Sequence, residues 1–154
     1  MAHNRNDVSI RLMETGDYDQ VYALWLSTPG MGLNSIDDTR EGIARYLRRN
    51  PATCFVADAG GEVVGVILCG HDGRRGLIHH TAVKPELRRR GVGKALWDAA
   101  AAALQREGIT KAWLVVKREN NLGNAFWEQL GFENRLDLTF RGITLDETLV
   151  RIDT

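Results

Sequence analysis

Apolar and polar residues alternate in "SIRLM" (9–13), a two-residue period that predicts a short strand. The period then changes to helical over about 16–27, where Val21, Leu24 and Trp25 fall on one face. "TPGMGLN" (28–34) breaks the pattern and reads as a loop. "SIDD" predicts a helix start, with Ser35 as N-cap and Asp38 at the third helical position, running to about Arg49 before Pro51. "ATCFVAD" (52–58) and "EVVGVILCG" (62–70) are strands joined by the hairpin signal "AGG", and "GLIHHTAVKP" (76–85) is a third β-rich run. Val92, Ala95, Leu96, Ala99, Ala100, Ala103 and Leu104 then recur at helical spacing up to Gly108. "KAWLVVK" (111–117) predicts a strand and "NLGNAFWEQLGF" a helix closing at Gly131, with two more strands near 133–140 and 146–152. The order is β-α-α-β-β-β-α-β-α-β-β, an α/β chain with a mixed, mostly antiparallel sheet of about seven strands and about four helices. No repeat or Pro/Ser linker divides it, so residues 1–154 form one domain.

Charge narrows the function more than bulk composition does. Twenty basic residues balance twenty acidic ones, so no global field recruits nucleic acid or an anionic membrane. Any basic site is local, and "KPELRRRGVGKALW" (84–97) is the densest stretch. Cys54 and Cys69 each sit inside an apolar run, the setting of buried free thiols rather than of a disulfide or metal site. The N-terminus lacks a signal-type apolar segment and nothing approaches a membrane span, which makes a cytoplasmic location the default expectation.

A strand leading through a glycine turn into a helix N-terminus offers free amides and the positive dipole end to an anion. Three phosphate turns share that outline. A P-loop needs Gly-x4-Gly-Lys-Ser/Thr, but Arg88 stands at the first glycine and Ala95 at the hydroxyl. A dinucleotide fingerprint needs a third glycine where Leu96 stands, and it belongs on the first strand of a βαβ array. "RRRGVG" (88–93) matches the remaining pattern, Arg/Gln-x-x-Gly-x-Gly/Ala, without a mismatch.

With "NNLGNAFWEQLGF" (120–132) one helix and one strand further on, the chain resembles the GNAT family of acyl-CoA N-acyltransferases. That second signature places Asn120, Gly123, Phe126, Trp127, Glu128, Gly131 and Phe132 at its characteristic positions. "GHDGRRG" (70–76) is similar to a bacterial YpeA-like branch. The resemblance spans essentially the whole chain and implies the GNAT fold. It also implies acetyl transfer from acetyl-CoA to a primary amine, a small molecule or a protein N-terminus, by direct attack in a ternary complex without a metal. Relatives often pair through their C-terminal strands, so a homodimer is one option.

The resemblance also implies a site. The backbone of Arg89 through Lys94 (Arg89, Arg90, Gly91, Val92, Gly93 and Lys94) would cradle the coenzyme A pyrophosphate, with Arg88 supplying charge. Ala82 and Val83 would present main-chain groups to the pantetheine arm, and Asn120 would hydrogen-bond it. His79 matches a proton-accepting histidine of serotonin-acetylating relatives, while Leu77 stands at the usual carboxylate position. Strand alternation predicts His79 and His80 on opposite faces. A packed histidine accounts for His79 equally well. Trp127 replaces the family's usual tyrosine acid, and an indole N–H donates a hydrogen bond but not a proton. A CoA-binding module with little or no turnover is therefore the alternative, and nucleic-acid binding through the arginines is disfavoured by the zero net charge.

Overall fold

A computed structural model describes residues 7–154. The chain runs through β1 (Val8–Leu12), a 3-10 turn (Thr15–Asp17), α1 (Tyr18–Leu26), β2 (Leu33–Asn34), α2 (Arg40–Arg49), β3 (Phe55–Ala59), β4 (Glu62–His71) and β5 (Gly76–Val83). A second 3-10 turn (Pro85–Leu87) precedes α3 (Val92–Arg106), β6 (Ala112–Leu114), α4 (Asn121–Gln129) and β7 (Arg151–Ile152). Among the described residues there are seven strands and four α-helices, in the predicted mixed α/β class. The strands divide between two sheets, a five-stranded one in the order β1-β3-β4-β5-β6 and a small one of β2 and β7. Pairing in the large sheet is antiparallel except between β5 and β6.

Helices cover both faces of the sheet, which is why β4 reads as an unbroken apolar run. On one face Leu96, Ala100 and Leu104 of α3 pack with Val64, Ile67 and Ile78 of the sheet and with Trp127 of α4. On the other, Val21 and Trp25 of α1 and Ile43 and Leu47 of α2 meet Val56, Val66, Leu68 and Ala82. Both cysteines are free and buried, and the Cys54 thiol donates to the Cys69 carbonyl at 3.0 Å. Among the described residues, no helix is long and apolar enough to cross a membrane.

The strand read at 52–58 begins only at Phe55, because residues 51–53 turn and the Thr53 hydroxyl donates to the Cys69 carbonyl at 2.7 Å instead of joining a ladder. Asp38 is not in the first turn of α2: Thr39 is the N-cap, its side chain accepting from Gly42 N, and the helix starts at Arg40. The strands expected near 133–140 and 146–152 reduce to Arg151–Ile152, paired with Leu33–Asn34 in the stretch read as loop. Leu136, Leu138 and Phe140 alternate as a strand would, yet all three are exposed. Alternation yields a stable strand only where one face finds a surface to bury.

Candidate functional site

β5 delivers the site, and two irregularities shape it. On its β6 side it pairs only through Gly76, Leu77 and Ile78, opposite Ala112, Trp113 and Leu114. Residues 79–83 therefore leave β6 and present a strand edge to that side. On its β4 side the register slips: Leu68 faces His79 but Val66 faces Ala82, leaving one extra residue on β5. His80 sits in that bulge with φ 32°, a conformation uncommon for any residue but glycine.

The bulge breaks the alternation that predicts opposite faces for the two histidines. Both rings meet the side covered by α1 and α2. His79 stands edge-on to Tyr46 of α2, centroids 5.9 Å apart, and His80 edge-on to Trp25 of α1 at 5.1 Å. The Trp25 indole N–H donates to the His80 carbonyl at 2.9 Å, pinning the bulged peptide. Burial, reinforced by the neighbouring His80, lowers the pKa of His79 below its ordinary value.

His80 has a carboxylate partner that the sequence reading did not pair with it. Its Nε2 lies 2.8 Å from Asp38 Oδ1, and Asp38 is 3% exposed. The loop before α2 is built to hold that carboxylate. Asn34 Oδ1 accepts from the amides of Ile36 and Asp37, and Asn34 N donates to Asp38 Oδ2 at 2.8 Å. The Tyr18 hydroxyl donates to the Asp38 carbonyl at 2.6 Å. Gly42 lets the loop fold over α2, since a Cβ there would lie 2.4 Å from the Ile36 and Asp37 carbonyl oxygens.

Beyond Val83 the chain turns through 84–91 into α3. Gly91 is the N-cap at φ 82°, and Arg89 is also left-handed at φ 61°. The first capping bond is Ala95 N to Gly91 O at 3.0 Å, so the amides just before it are those a helix start leaves without an intrahelical acceptor. The positive end of the α3 dipole lies in the same place.

The other predicted residues differ in what they contact. Arg88 donates through Nε to the Val83 carbonyl at 3.2 Å, bracing the turn against the end of β5. Arg90 and Gly91 line a shallow pocket of about 180 Å³ against Val8 and Ile10. Val92 points into the core and can offer only its backbone. Gly93 differs from its expected use: a Cβ there would meet Phe126 Cζ at 2.9 Å, so its missing side chain makes room for α4. Lys94 pairs with Asp98 at 2.7 Å on the exposed face. Ala82 is buried among the residues facing α1 and α2.

Asn120 and Trp127 have structural work of their own. The Asn120 side chain caps α4, accepting from Gly123 N at 2.9 Å. Trp127 is 9% exposed and packs edge-on against Phe126, Trp97 and Phe132. β5 thus carries both histidines toward α1 and α2 and leads at its end into the amide turn of α3, while Trp127 sits in an aromatic cluster.

The sequence pattern described as the acetyltransferase (GNAT) family matches residues 18–132. The chain is 34% identical over 132 residues to "Acetyltransferase plu1384" of Photorhabdus laumondii subsp. laumondii, covering 83% of this chain and 88% of that protein. The crystal structure of Ard1 from Thermoplasma volcanium superposes with a TM-score of 0.74 at 26% identity, over 82% of this chain and 83% of that one. The PaiA N-acetyltransferase from Thermoplasma acidophilum, solved in complex with coenzyme A, superposes at 0.69 with 18% identity, over 82% and 89% of the two chains.

Proposed function

The chain belongs to the GNAT family of acetyltransferases, and from that premise we propose that it transfers an acetyl group from acetyl-CoA to a primary amine. The acceptor is a small molecule or a protein N-terminus, attacked directly in a ternary complex. The observation that carries the reading is the left-handed Gly91 turn opening α3 at the end of a strand whose last residues β6 does not pair. The amides of 89–94 and the α3 dipole fit a pyrophosphate. Arg88, Arg89 and Arg90 add positive charge around it. The edge at 79–83 offers backbone donors and acceptors to an amide-bearing arm, as a further strand would. The PaiA structure, which holds coenzyme A on the same fold, supports the choice of ligand.

The chemistry asks for a proton acceptor near β5, because an alkylammonium of pKa roughly 10 holds few free amines at neutral pH. β5 carries two imidazoles, His79 and His80, that are candidates for this role. The departing thiolate, with a thiol pKa of about 8.5, is a tolerable leaving group without an acid. That suits a site whose family tyrosine is replaced by Trp127.

Thermal unfolding with and without acetyl-CoA tests the reading. Ligand at a hundred times its Kd stabilises by about 2.7 kcal/mol, which for a chain of this length raises Tm by several degrees. Gly91→Val is expected to abolish the shift. No shift at millimolar acetyl-CoA would withdraw the proposal. A second reading, CoA binding without turnover, is favoured by the burial of Trp127 among aromatic rings; a Tm shift with no thiol release in the presence of amines would establish it.

A further inference from the structure

We propose that His80, held by Asp38, is the general base of the transfer and that Asp38 is its positioning residue. The inference rests on the acetyl-transfer reading above and deepens it by assigning the proton step. Four observations converge on His80. It occupies the β-bulge at the point where β5 leaves β6. Its Nε2 is 2.8 Å from a carboxylate that is itself buried. Trp25 fixes both its ring and its carbonyl. Its side chain keeps 15% exposure, whereas that of Asp38 keeps 3%.

An acceptor-only carboxylate at Nε2 requires the proton on Nε2, which leaves the lone pair on Nδ1. The imidazole is thereby held in one tautomer and one orientation, and the imidazolium that forms is paired with Asp38. The titratable or charged groups around this pair include His79 on the same strand, Asp37 on the loop, Tyr18 at the start of α1, Arg40 of α2 over the Tyr18 ring, and Tyr46 on α2 beside His79. The β4 residues opposite, Ile67 and Leu68, are apolar and buried. His79 differs from His80 in having the Tyr46 ring of α2 as its partner, where His80 has the Asp38 carboxylate of the preceding loop.

The ammonium of the acceptor gives one proton to His80 Nδ1, and the freed lone pair forms the C–N bond at the thioester carbonyl. The C–S bond breaks with its electron pair going to sulfur. The second N–H proton of the adduct passes to the departing thiolate, and the imidazolium returns its proton to solvent. Amide, coenzyme A and one proton result.

The test begins with the wild-type chain, acetyl-CoA and three probe amines: spermidine, kanamycin and an alanine-terminated peptide. Failure of all three to release thiol, despite an acetyl-CoA Tm shift, would overturn the transfer reading and this one with it. Given turnover, pH profiles of kcat/KM are compared for His80→Asn, Asp38→Asn and His79→Gln. Asn is chosen at position 80 because it tolerates positive φ. His80→Asn is expected to lower kcat by 10²–10⁴-fold, the usual range for a general base, and to remove the acid limb, with the acetyl-CoA Tm shift retained. Asp38→Asn is expected to lower kcat with the acetyl-CoA Tm shift retained, and to remove the preference for the Nε2–H tautomer at His80. The limb is expected to persist in His79→Gln. Imidazole ¹⁵N NMR of the wild type should show the Nε2–H tautomer at His80. Loss of the limb in His79→Gln, its survival in His80→Asn, or an Nδ1–H tautomer at His80 would each overturn the assignment.

Discussion

Single residues in this chain carry more than one demand, and Gly93 shows the conflict most plainly. In the motif it reads as a glycine that lets a phosphate approach, but the space it leaves is filled by Phe126 of α4. Gly93→Ala is therefore expected to be a packing change. Overpacking costs about 1–3 kcal/mol, partly offset by up to about 1 kcal/mol from the better helix former. Urea unfolding of Gly93→Ala, Phe126→Leu and the double variant should show strong non-additivity, since the smaller side chain makes room for the new methyl. Additive losses would mean that the two positions do not share this contact. His79 makes a separate prediction. Its folded pKa is depressed, chiefly by burial, so the unfolded chain takes up that proton first as pH falls. Stability present above an unfolded value of about 6.5 is thus lost as pH drops through the folded value, and His79→Gln should flatten that part of the stability profile.

Elements are tied by charge as well as by ladders. Arg11 of β1 donates through Nε to Asp58 of β3 at 3.0 Å and through its terminal nitrogens to both oxygens of Asp17, at 2.9 and 2.8 Å. Burial pushes the Asp17 carboxyl up, but the Arg11 hydrogen bonds, the Glu14 amide and the guanidinium charge together hold it below its ordinary value. A depressed carboxyl stabilises the fold above an unfolded pKa of about 4 and loses that contribution as pH falls through the folded value. Arg11→Met should cost about 1–3 kcal/mol at neutral pH by orphaning Asp17, and should narrow the stability gap between pH 7 and pH 3. An unchanged gap in urea titrations would sink this account. The helices and the first strands were legible from periodicity because each has one face to bury. The C-terminal strands were not, since Leu136, Leu138 and Phe140 carry the pattern without a covering surface. The motif at 88–93 announced the turn, whereas the His80–Asp38 pair left no trace in the sequence. It depends on a bulge that alternation does not encode, and on a helix starting at Arg40, which leaves Asp38 in the preceding loop.

Across the whole molecule, the sheet separates two cores, and the proposed proton chemistry belongs to the face under α1 and α2 while the anion turn opens the helix on the other. β5 joins them, running from the bulge at His80 to the turn braced by Arg88. Of the two thiols, Cys69 lies on β4 opposite Ile78 of β5, and Cys54, just before β3, donates to the Cys69 carbonyl. Cys54 is 1% exposed and Cys69 fully buried, and burial pushes both thiol pKa values up to about 12. A buried thiol this far from ionisation is a poor nucleophile. The folded protein should therefore be silent toward a thiol-reactive dye, and the urea-unfolded chain should titrate two groups. Rapid labelling of the folded protein would show that the sheet opens locally around these residues. Silence would make the chain its own blank in a colorimetric assay: every equivalent of colour would report coenzyme A set free, and a slow rise without amine would time the unfolding of the catalyst.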